Sequence, residues 1–296
     1  MTSQSRRNFS QQSFNRFADD IFKEAFNMRH LYRYLKFNTA RKSLDWKNKR
    51  LERIFTHNEL YFAPPSKFND PFDCKTLFTC EGSGVAEFRK FFEGKLKHDF
   101  PNLSAKKIKQ KASALIRKGF YKETQWRKYH IGLFEKITES EIEKLGMLCL
   151  SEKRDDILMW SHYAGGHTGF CLEFDREGFK SWNYCEPIQY RQTYPTCKEF
   201  VDKIDSKALH YIFLLRKSEH WKYEKEWRVI IDCENLPDRI LKFPDRLLTG
   251  IILGCQIPKA YEDVMLRWYG KSKHRLRLYR AIKKENEYGL RIEEIK

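Results

Sequence analysis

One segment near the middle of the chain, residues 147–174, sets the strongest limit on the fold. The apolar run Met147–Leu150 predicts a buried strand, helical spacing from about Asp155 to Ala164 predicts a helix, and Phe170–Phe174 predicts a second strand. The glycines of residues 165–169 supply the flexible backbone on which such a helix ends. A strand, a helix and a strand in direct succession require a fold that mixes both kinds of element.

Similar short segments recur along the chain. Strand-like runs bounded by turn-forming residues lie at 30–35, 59–63, 186–191, 227–231 and 250–254, with a hairpin around 276–292. Helical spacing is found at 17–26, 39–53, 198–217 and 258–269. We therefore expect an α+β fold whose core is a mixed, mainly antiparallel sheet.

Composition divides the chain further. Residues 1–16 are rich in Ser, Gln, Asn and Arg, which predicts a flexible tail, and 17–296 remain for a single α+β domain. Within that domain, residues 84–146 are Lys-rich and helical in period, with an apolar face formed by Phe88, Phe91, Phe92 and Leu96. We expect this segment to be an inserted basic helical segment.

The chain is strongly basic, and the excess is uneven. Its 57 Lys and Arg oppose 40 Asp and Glu, for a formal net charge of +17. Between residues 86 and 136 there are 14 Lys and Arg against 5 Asp and Glu. Such a field favours an anionic partner, which could be nucleic acid, a phosphate-bearing cofactor or an acidic surface.

Other features of the composition concern the cellular compartment. No apolar run approaches the ~20 residues of a membrane helix, so we expect a soluble protein without a membrane partner. The first residues carry charge but no following apolar segment, unlike a secretory signal, which favours a cytoplasmic location. The eight cysteines form no C-x-x-C pair, and several lie in apolar runs, which predicts reduced core thiols.

The helix predicted after Ser151 has two interpretations. In the first, the Ser151 hydroxyl caps the helix, the carboxylates of Asp155 and Asp156 favour its positive end, and the aromatic residues pack in the core. In the second, the helix lines a binding site, because an ordinary surface helix rarely needs three such rings so close together: Trp160, His162 and Tyr163.

Two kinds of catalytic site are disfavoured in this segment. A zinc site needs three or four ligands, and His162 and His167 are accompanied by no H-E-x-x-H motif and no Cys partner. A Ser–His–Asp hydrolase needs a nucleophile elbow such as G-x-S-x-G, and the residues around Ser151 lack those glycines. We expect neither a metal nor a hydrolase nucleophile here.

A later segment, His220–Arg228, carries two carboxylates two residues apart. On an extended backbone Glu224 and Glu226 share a face, which suits a concave site beside the aromatic residues of the segment. The alternative is a solvent-facing pair whose charge is offset by Lys222, Lys225 and Arg228.

An earlier segment, Ser66–Asp73, contains Asn-Asp-Pro. This sequence predicts a tight turn with a mainly architectural role. Contact with a phosphate or a ribose is the alternative.

The motifs together resemble a widespread bacterial family of unknown function that is often met near mobile elements and defence genes. The resemblance covers roughly residues 30–255 and rests on four motifs in order: L-Y-R-Y-L (31–35), L-Y-F-A-P-P-S-K-F-N-D-P-F-D (60–73), L-C-L-S-E…D-D-I-L-M-W-S-H-Y-A-G-G-H-T-G-F-C-L-E-F-D (148–175) and Y-E-K-E-W-R (223–228). The helical segment 84–146 carries none of these motifs.

A more distant resemblance is to ADP-ribosyltransferases, which use three ordered motifs and a split sheet. It implies NAD as cofactor, Glu226 as the catalytic carboxylate, Glu224 as a target-positioning residue and Ser151 as a site-ordering hydroxyl. The cofactor-binding groups implied are those of the first strand and of the aromatic helix: Tyr32, Arg33, Tyr34, Trp160, His162 and Tyr163. The chain departs from that pattern in lacking an S-T-S triplet and in placing Arg33 between two tyrosines.

The leading hypothesis is therefore an ADP-ribosyltransferase-like bacterial toxin or phage-defence effector that acts on NAD and on a nucleic-acid or protein target, with a possible neutralising partner. It requires Tyr32, Ser151 and Glu226 to converge on one cleft. A second hypothesis is a non-catalytic nucleic-acid-binding protein that uses the basic insertion, whose contacts would be Lys106, Lys107, Lys109, Lys111, Arg117 and Lys118. A third is a metal-dependent nuclease using Asp155, Asp156 and the Glu pair, which no spacing favours.

Overall fold

A computed structural model of the chain describes residues 29–38, 46–75, 84–119, 121, 132, 135–136, 138–196, 199, 209–272 and 275–295. The chain divides into two compact units. Unit 1 holds the described residues up to Leu60, Leu150–Cys185 and those from Leu241 onward, and unit 2 holds those of Tyr61–Cys149 and Glu186–Ile240. The single-domain organisation expected from the sequence stays a prediction.

The elements alternate along the chain. The strands are β1 (His30–Leu35), β2 (Glu59–Tyr61), β3 (Leu145–Ser151), β4 (Phe170–Asp175), β5 (Cys185–Pro187), β6 (Gln189–Arg191), β7 (Arg216–Ser218), β8 (Glu226–Asp232), β9 (Ile240–Lys242), β10 (Leu248–Leu253), β11 (Arg277–Lys283) and β12 (Leu290–Glu294). The helices are α1 (Trp46–His57), α2 (Val85–Asp99), α3 (Ala105–Arg117), α4 (Ile157–Tyr163), α5 (Arg176–Trp182), α6 (Leu209–Leu214) and α7 (Lys259–Lys271), with 3₁₀ helices at Pro65–Lys67 and Glu219–Glu224.

Unit 1 is built on strands hydrogen-bonded in the order β12-β11-β10-β4-β1. All these pairs are antiparallel except β10 and β11, which are parallel. The central strand β4 is buried on both faces, which explains why its sequence is nearly continuous apolar residues rather than an alternating pattern. The last residue of β3 joins this sheet opposite β1, with Ser151 paired to Tyr32.

Unit 2 combines strands in the order β3-β8-β5 with the packed helices α2 and α3. The apolar face predicted for the inserted segment is confirmed, since Phe88, Phe91 and Phe92 are buried in a core cluster that also contains Ile142 and Met147. Burying this face stabilises two helices that are otherwise rich in charge.

The predicted α+β class and mainly antiparallel sheet are confirmed, and several strands match closely. The strand predicted at 30–35 is β1, and the C-terminal hairpin is β11 paired with β12. The helix predicted at 198–217 is wrong at its C-terminal end, because Leu209–Leu214 is helical but Arg216–Ser218 forms β7. The tail at 1–16 and the helix at 17–26 lie outside the described residues.

The predicted cap of the aromatic helix is also wrong. Helix α4 starts at Ile157, and its N-cap is Asp156, whose carboxylate accepts hydrogen bonds from the backbone N–H groups of Leu158 and Met159. Ser151 ends β3 instead, and its hydroxyl accepts from the N–H of Lys153 at 3.0 Å. The two residues occupy different turns, because the chain takes five more residues to leave the strand than the cap model assumes.

The described cysteines are free thiols, buried or partly buried, as predicted. No helix in the described ranges has both the length and the apolar character needed to cross a membrane.

Candidate functional site

Five charged side chains meet inside unit 2, and we call them the ion cluster. They are Asp73, Lys217, Glu224, Glu226 and Arg228, and the most exposed of them has only 7% of its surface accessible. Charged residues are almost never buried to this extent without partners. The interpretation of Glu224 and Glu226 as a solvent-facing pair is therefore wrong.

The backbone between the two glutamates brings their carboxylates to one partner. Glu224 ends the 3₁₀ helix, Lys225 adopts the left-handed conformation (φ 45°, ψ 52°), and Glu226 begins β8. The shared face therefore does not arise from one extended strand, as the spacing suggested. It arises at a sharp bend, after which the Lys217 ammonium donates to Glu224 at 2.5 Å and to Glu226 at 2.9 Å.

Arg228 holds the other side of the ion cluster. Its guanidinium binds Asp73 through two hydrogen bonds of 3.0 and 2.6 Å, and its Nε donates to Glu226 at 2.7 Å. A further bond of 2.7 Å reaches the carbonyl of Leu214. The planar five-donor fork of Arg matches this set of acceptors, whereas a Lys ammonium does not.

The segment containing Asp73 is thus more than a turn. Asp70 accepts from the N–H of Phe72 at 2.9 Å, which confirms the predicted turn chemistry. Asp73 then points into the ion cluster, and the ring of Phe68 lies 5.1 Å from the Arg228 guanidinium carbon. The same eight residues, Ser66–Asp73, thus form the turn and supply a charge to the ion cluster.

The electrostatics of the ion cluster favour the charged forms of Glu226 and Lys217. Burial alone would raise the pKa of the Glu226 carboxyl, but the adjacent charges of Arg228 and Lys217 outweigh burial and lower it to about 2. Burial opposes the charge of Lys217 as well, yet Glu226, Glu224 and Asp73 raise its pKa. At its formal charges, the ion cluster has three negative and two positive groups.

A cavity of about 590 Å³ lies in unit 2 and reaches the ion cluster at Lys217. The Lys217 ammonium sits 5.0 Å from the centroid of the Trp221 ring. A volume of this size is typical of small-molecule sites. Its lining mixes aromatic rings with cations, including Phe72, Tyr194, Trp221, Arg191, Arg216 and His220.

In unit 1, Tyr32 and Ser151 are brought together as cross-strand partners. The Tyr32 hydroxyl donates to Glu173 at 3.4 Å, and Glu173 is held in turn by Arg277 at 2.6 Å and Thr249 at 3.0 Å. Arg33 lies on the same strand and is half-buried. Glu226 belongs to unit 2, so the predicted convergence of all three motifs stays a prediction.

One side of the aromatic helix is packed in the core. Trp160 is fully buried, donates its indole N–H to the carbonyl of Arg154 at 2.9 Å and meets Tyr34 edge-on at 5.2 Å. The Tyr34 hydroxyl donates to the carbonyl of Lys153 at 2.7 Å. His162 is exposed and Tyr163 half-buried, so of the three rings of α4 these two reach the surface. Cofactor contact by Tyr34, Trp160, His162 or Tyr163 stays a prediction.

Among the described residues, no three His, Cys, Asp or Glu side chains are arranged so that they could hold a metal ion. His167 instead contacts the Ser161 hydroxyl at 3.1 Å.

The predicted nucleic-acid contacts of the basic insertion are all exposed on α3 or directly after it: Lys106, Lys107, Lys109, Lys111, Arg117 and Lys118.

Three structurally central residues were not identified from the sequence: Asp73 as an ion-pair partner, Glu173 and Lys217. Glu173 had a detectable signal, because a carboxylate in the middle of the apolar strand Phe170–Phe174 must be paired if it is buried. Lys217 had none, since it lies among other basic residues on a strand of three residues.

Comparison with known proteins gives one match. A family model described as "Protein of unknown function (DUF2971)" matches residues 159–229, a span that runs from α4 to β8 and includes all of the ion cluster except Asp73. No curated protein and no solved structure matches the chain. The predicted resemblance to a family of unknown function is confirmed over this span.

Proposed function

We propose that the protein is an ADP-ribosyltransferase-like enzyme that cleaves NAD, with Glu226 as its catalytic carboxylate and Glu224 beside it. The observation that carries the proposal is the contact of Lys217 with both Glu226 and the cavity of unit 2. The Lys217 side chain therefore links the Glu226 carboxylate to a cavity that is large enough for a ligand. The proposed roles in a toxin or in phage defence rest on the resemblance alone.

The chemistry of the cavity supports a ligand of the NAD type. The net negative ion cluster favours a positively charged ring beside it, and the Trp221 ring offers a stacking surface. The Arg191 cation on the lining favours a phosphate group. A pyridinium ring joined to a pyrophosphate combines these two requirements.

In the proposed reaction the bond between the nicotinamide nitrogen and the ribose carbon breaks, and its electron pair leaves with nicotinamide. The ribose carbon acquires oxocarbenium-like positive charge, as in glycoside cleavage. An ionised carboxylate stabilises that charge, which fits the lowered pKa of Glu226. A nucleophile of the target then bonds to the carbon and releases its proton. Lys217 has to give up one Glu226 oxygen before a ribose hydroxyl can donate to it.

The test is NAD consumption by the purified protein, with nucleic acid or protein supplied as target. We expect Glu226→Gln to lower turnover by about 10²–10³-fold, because it removes the charge that stabilises the transition state. Glu219→Gln is the matched control, since Glu219 is an exposed carboxylate on the adjacent 3₁₀ helix.

Glu226→Asp is a second variant that keeps the charge in the buried ion cluster and shortens its reach. A folded Glu226→Gln protein with wild-type turnover removes Glu226 from the mechanism. A wild-type protein that neither binds nor consumes NAD with any target contradicts the proposal as a whole.

A further inference from the structure

The charged side chains on the surface of helix α3, and of the residue that follows it, are all basic. The sequence from Pro101 to Gly119 contains no Asp or Glu. Six basic side chains in this stretch are exposed, and we call them the α3 cations: Lys106, Lys107, Lys109, Lys111, Arg117 and Lys118. Their mutual repulsion destabilises the helix by itself.

Lysines of other helices are arranged differently. Lys95 pairs with Asp99 at 2.8 Å, Lys180 with Glu177 at 2.8 Å and Lys259 with Asp263 at 3.1 Å, each within one turn. Within the described ranges, no α3 cation uses its side chain in an ion pair or a hydrogen bond. The α3 surface therefore lacks the local neutralisation found elsewhere in the chain.

The helix aligns three of these charges. Ile108 and Ala112 are buried on one side, the cations occupy the rest of the helix surface, and Lys107, Lys111 and Lys118 lie in line along one flank. Lys107 and Lys118 are eleven positions apart, which spans about 16 Å at the rise of an α-helix. The first turn contains no acidic residue, so the positive end of the helix dipole adds to the side-chain charge.

We propose that the α3 cations bind the phosphate backbone of nucleic acid. A row of cations this long matches several successive phosphates, and the exposed ring of Phe100, 53% accessible and just before α3, can stack on a base. An anionic membrane surface fits less well, because a helix that lies on a bilayer needs an exposed apolar face, and that of α3 is buried in the core. The proposal does not depend on the transferase activity.

The experiment is fluorescence-anisotropy titration of labelled single- and double-stranded oligonucleotides across a salt series, without NAD. We expect affinity to fall steeply with salt. The variant Lys107→Gln/Lys109→Gln/Lys111→Gln should reduce the slope of log K against log salt by about 2–3, since each lost phosphate contact removes about 0.7–0.9. Gln keeps the helix propensity near that of Lys, and circular dichroism checks the fold.

The matched control is Lys180→Gln/Lys259→Gln/Lys271→Gln, which removes the same charge from three exposed lysines that have acidic partners. Its slope should equal that of the wild type. Equal losses in both variants, salt-insensitive affinity, or binding to anionic vesicles with no binding to either oligonucleotide would each overturn the proposal. Because NAD is absent, any of these results leaves the transferase proposal to its own test.

Discussion

At the scale of single residues, Arg228 determines whether the ion cluster holds together. It is 1% exposed and binds two carboxylates and a backbone carbonyl. A buried ion pair is weak evidence for net stability, but removal of one partner leaves the others uncompensated. Replacing a single residue of the ion cluster therefore lowers the stability of the fold, even if the ion cluster as a whole contributes little net stability.

We therefore predict that Arg228→Met lowers the free energy of unfolding by about 3–5 kcal/mol, because Asp73 and Glu226 lose their counter-charge in a buried site. Urea denaturation measures the effect. Arg267→Met, at an exposed position of α7, should change it by less than about 0.5 kcal/mol. A small effect at Arg228 would mean that water enters the ion cluster and replaces the guanidinium.

The sequence predicted that the carboxylates of Glu224 and Glu226 act together, but it did not predict the lysine that donates hydrogen bonds to both. The spacing of Glu224 and Glu226 indicated that they act together, and both contact Lys217. Lys217 itself could not be found, because its role depends on where β7 lies relative to the bend at Lys225, and no local pattern encodes that distance.

At the scale of elements, the cap of α4 separates two residues that look alike in sequence. Asp155 and Asp156 are adjacent, but only the Asp156 carboxylate accepts the two N–H groups of the first turn. Both carboxylates lie near the positive end of the helix dipole. A difference in stability between variants of the two residues therefore measures the contribution of the capping hydrogen bonds.

We predict that Asp156→Ala lowers the free energy of unfolding by about 1 kcal/mol and that Asp155→Ala changes it by a few tenths. Thermal or chemical denaturation of the two variants checks this. Equal losses would show that the dipole and not the cap stabilises α4.

Element prediction succeeded where an element has its own periodic or apolar signature. Strand β4 and helix α2 could be located because Phe170–Phe174 is apolar except at Glu173 and the Phe face of α2 repeats at helical spacing. The three-residue strands β7 and β9 could not, since strands so short are stabilised by their neighbours and carry no alternating pattern of their own.

At the scale of the whole molecule, we expect the ion cluster to make the free energy of unfolding depend on pH in the acidic range. The pKa of Glu226 is lowered from 4.5 to about 2 in the folded chain, because Arg228 and Lys217 outweigh the effect of burial. Its contribution is fully present above the unfolded pKa and is lost as pH falls through that of the folded state.

We predict that the free energy of unfolding falls between about pH 4.5 and pH 2, and that Glu226→Gln weakens this dependence. Urea titrations at pH 7, 5, 4 and 3 measure it. Glu199, whose pKa is also lowered to about 2 because its bonds to Arg216 and Thr196 outweigh burial, adds to the wild-type slope and remains in the variant. Stability that stays constant from pH 6 to pH 3 would contradict the prediction.

The bond between Asp73 and Arg228 also has a consequence for the nascent chain. The two partners are 155 residues apart in sequence. At a synthesis rate of about 5–20 residues per second, Asp73 is made roughly 8–30 s before Arg228 exists. During that interval the Phe-rich face of α2 and the carboxylate of Asp73 are already synthesised without the strand that completes their surroundings. Most of unit 2 is thus synthesised before β8 can complete it, and we expect a chain arrested short of β8 to be bound by chaperones.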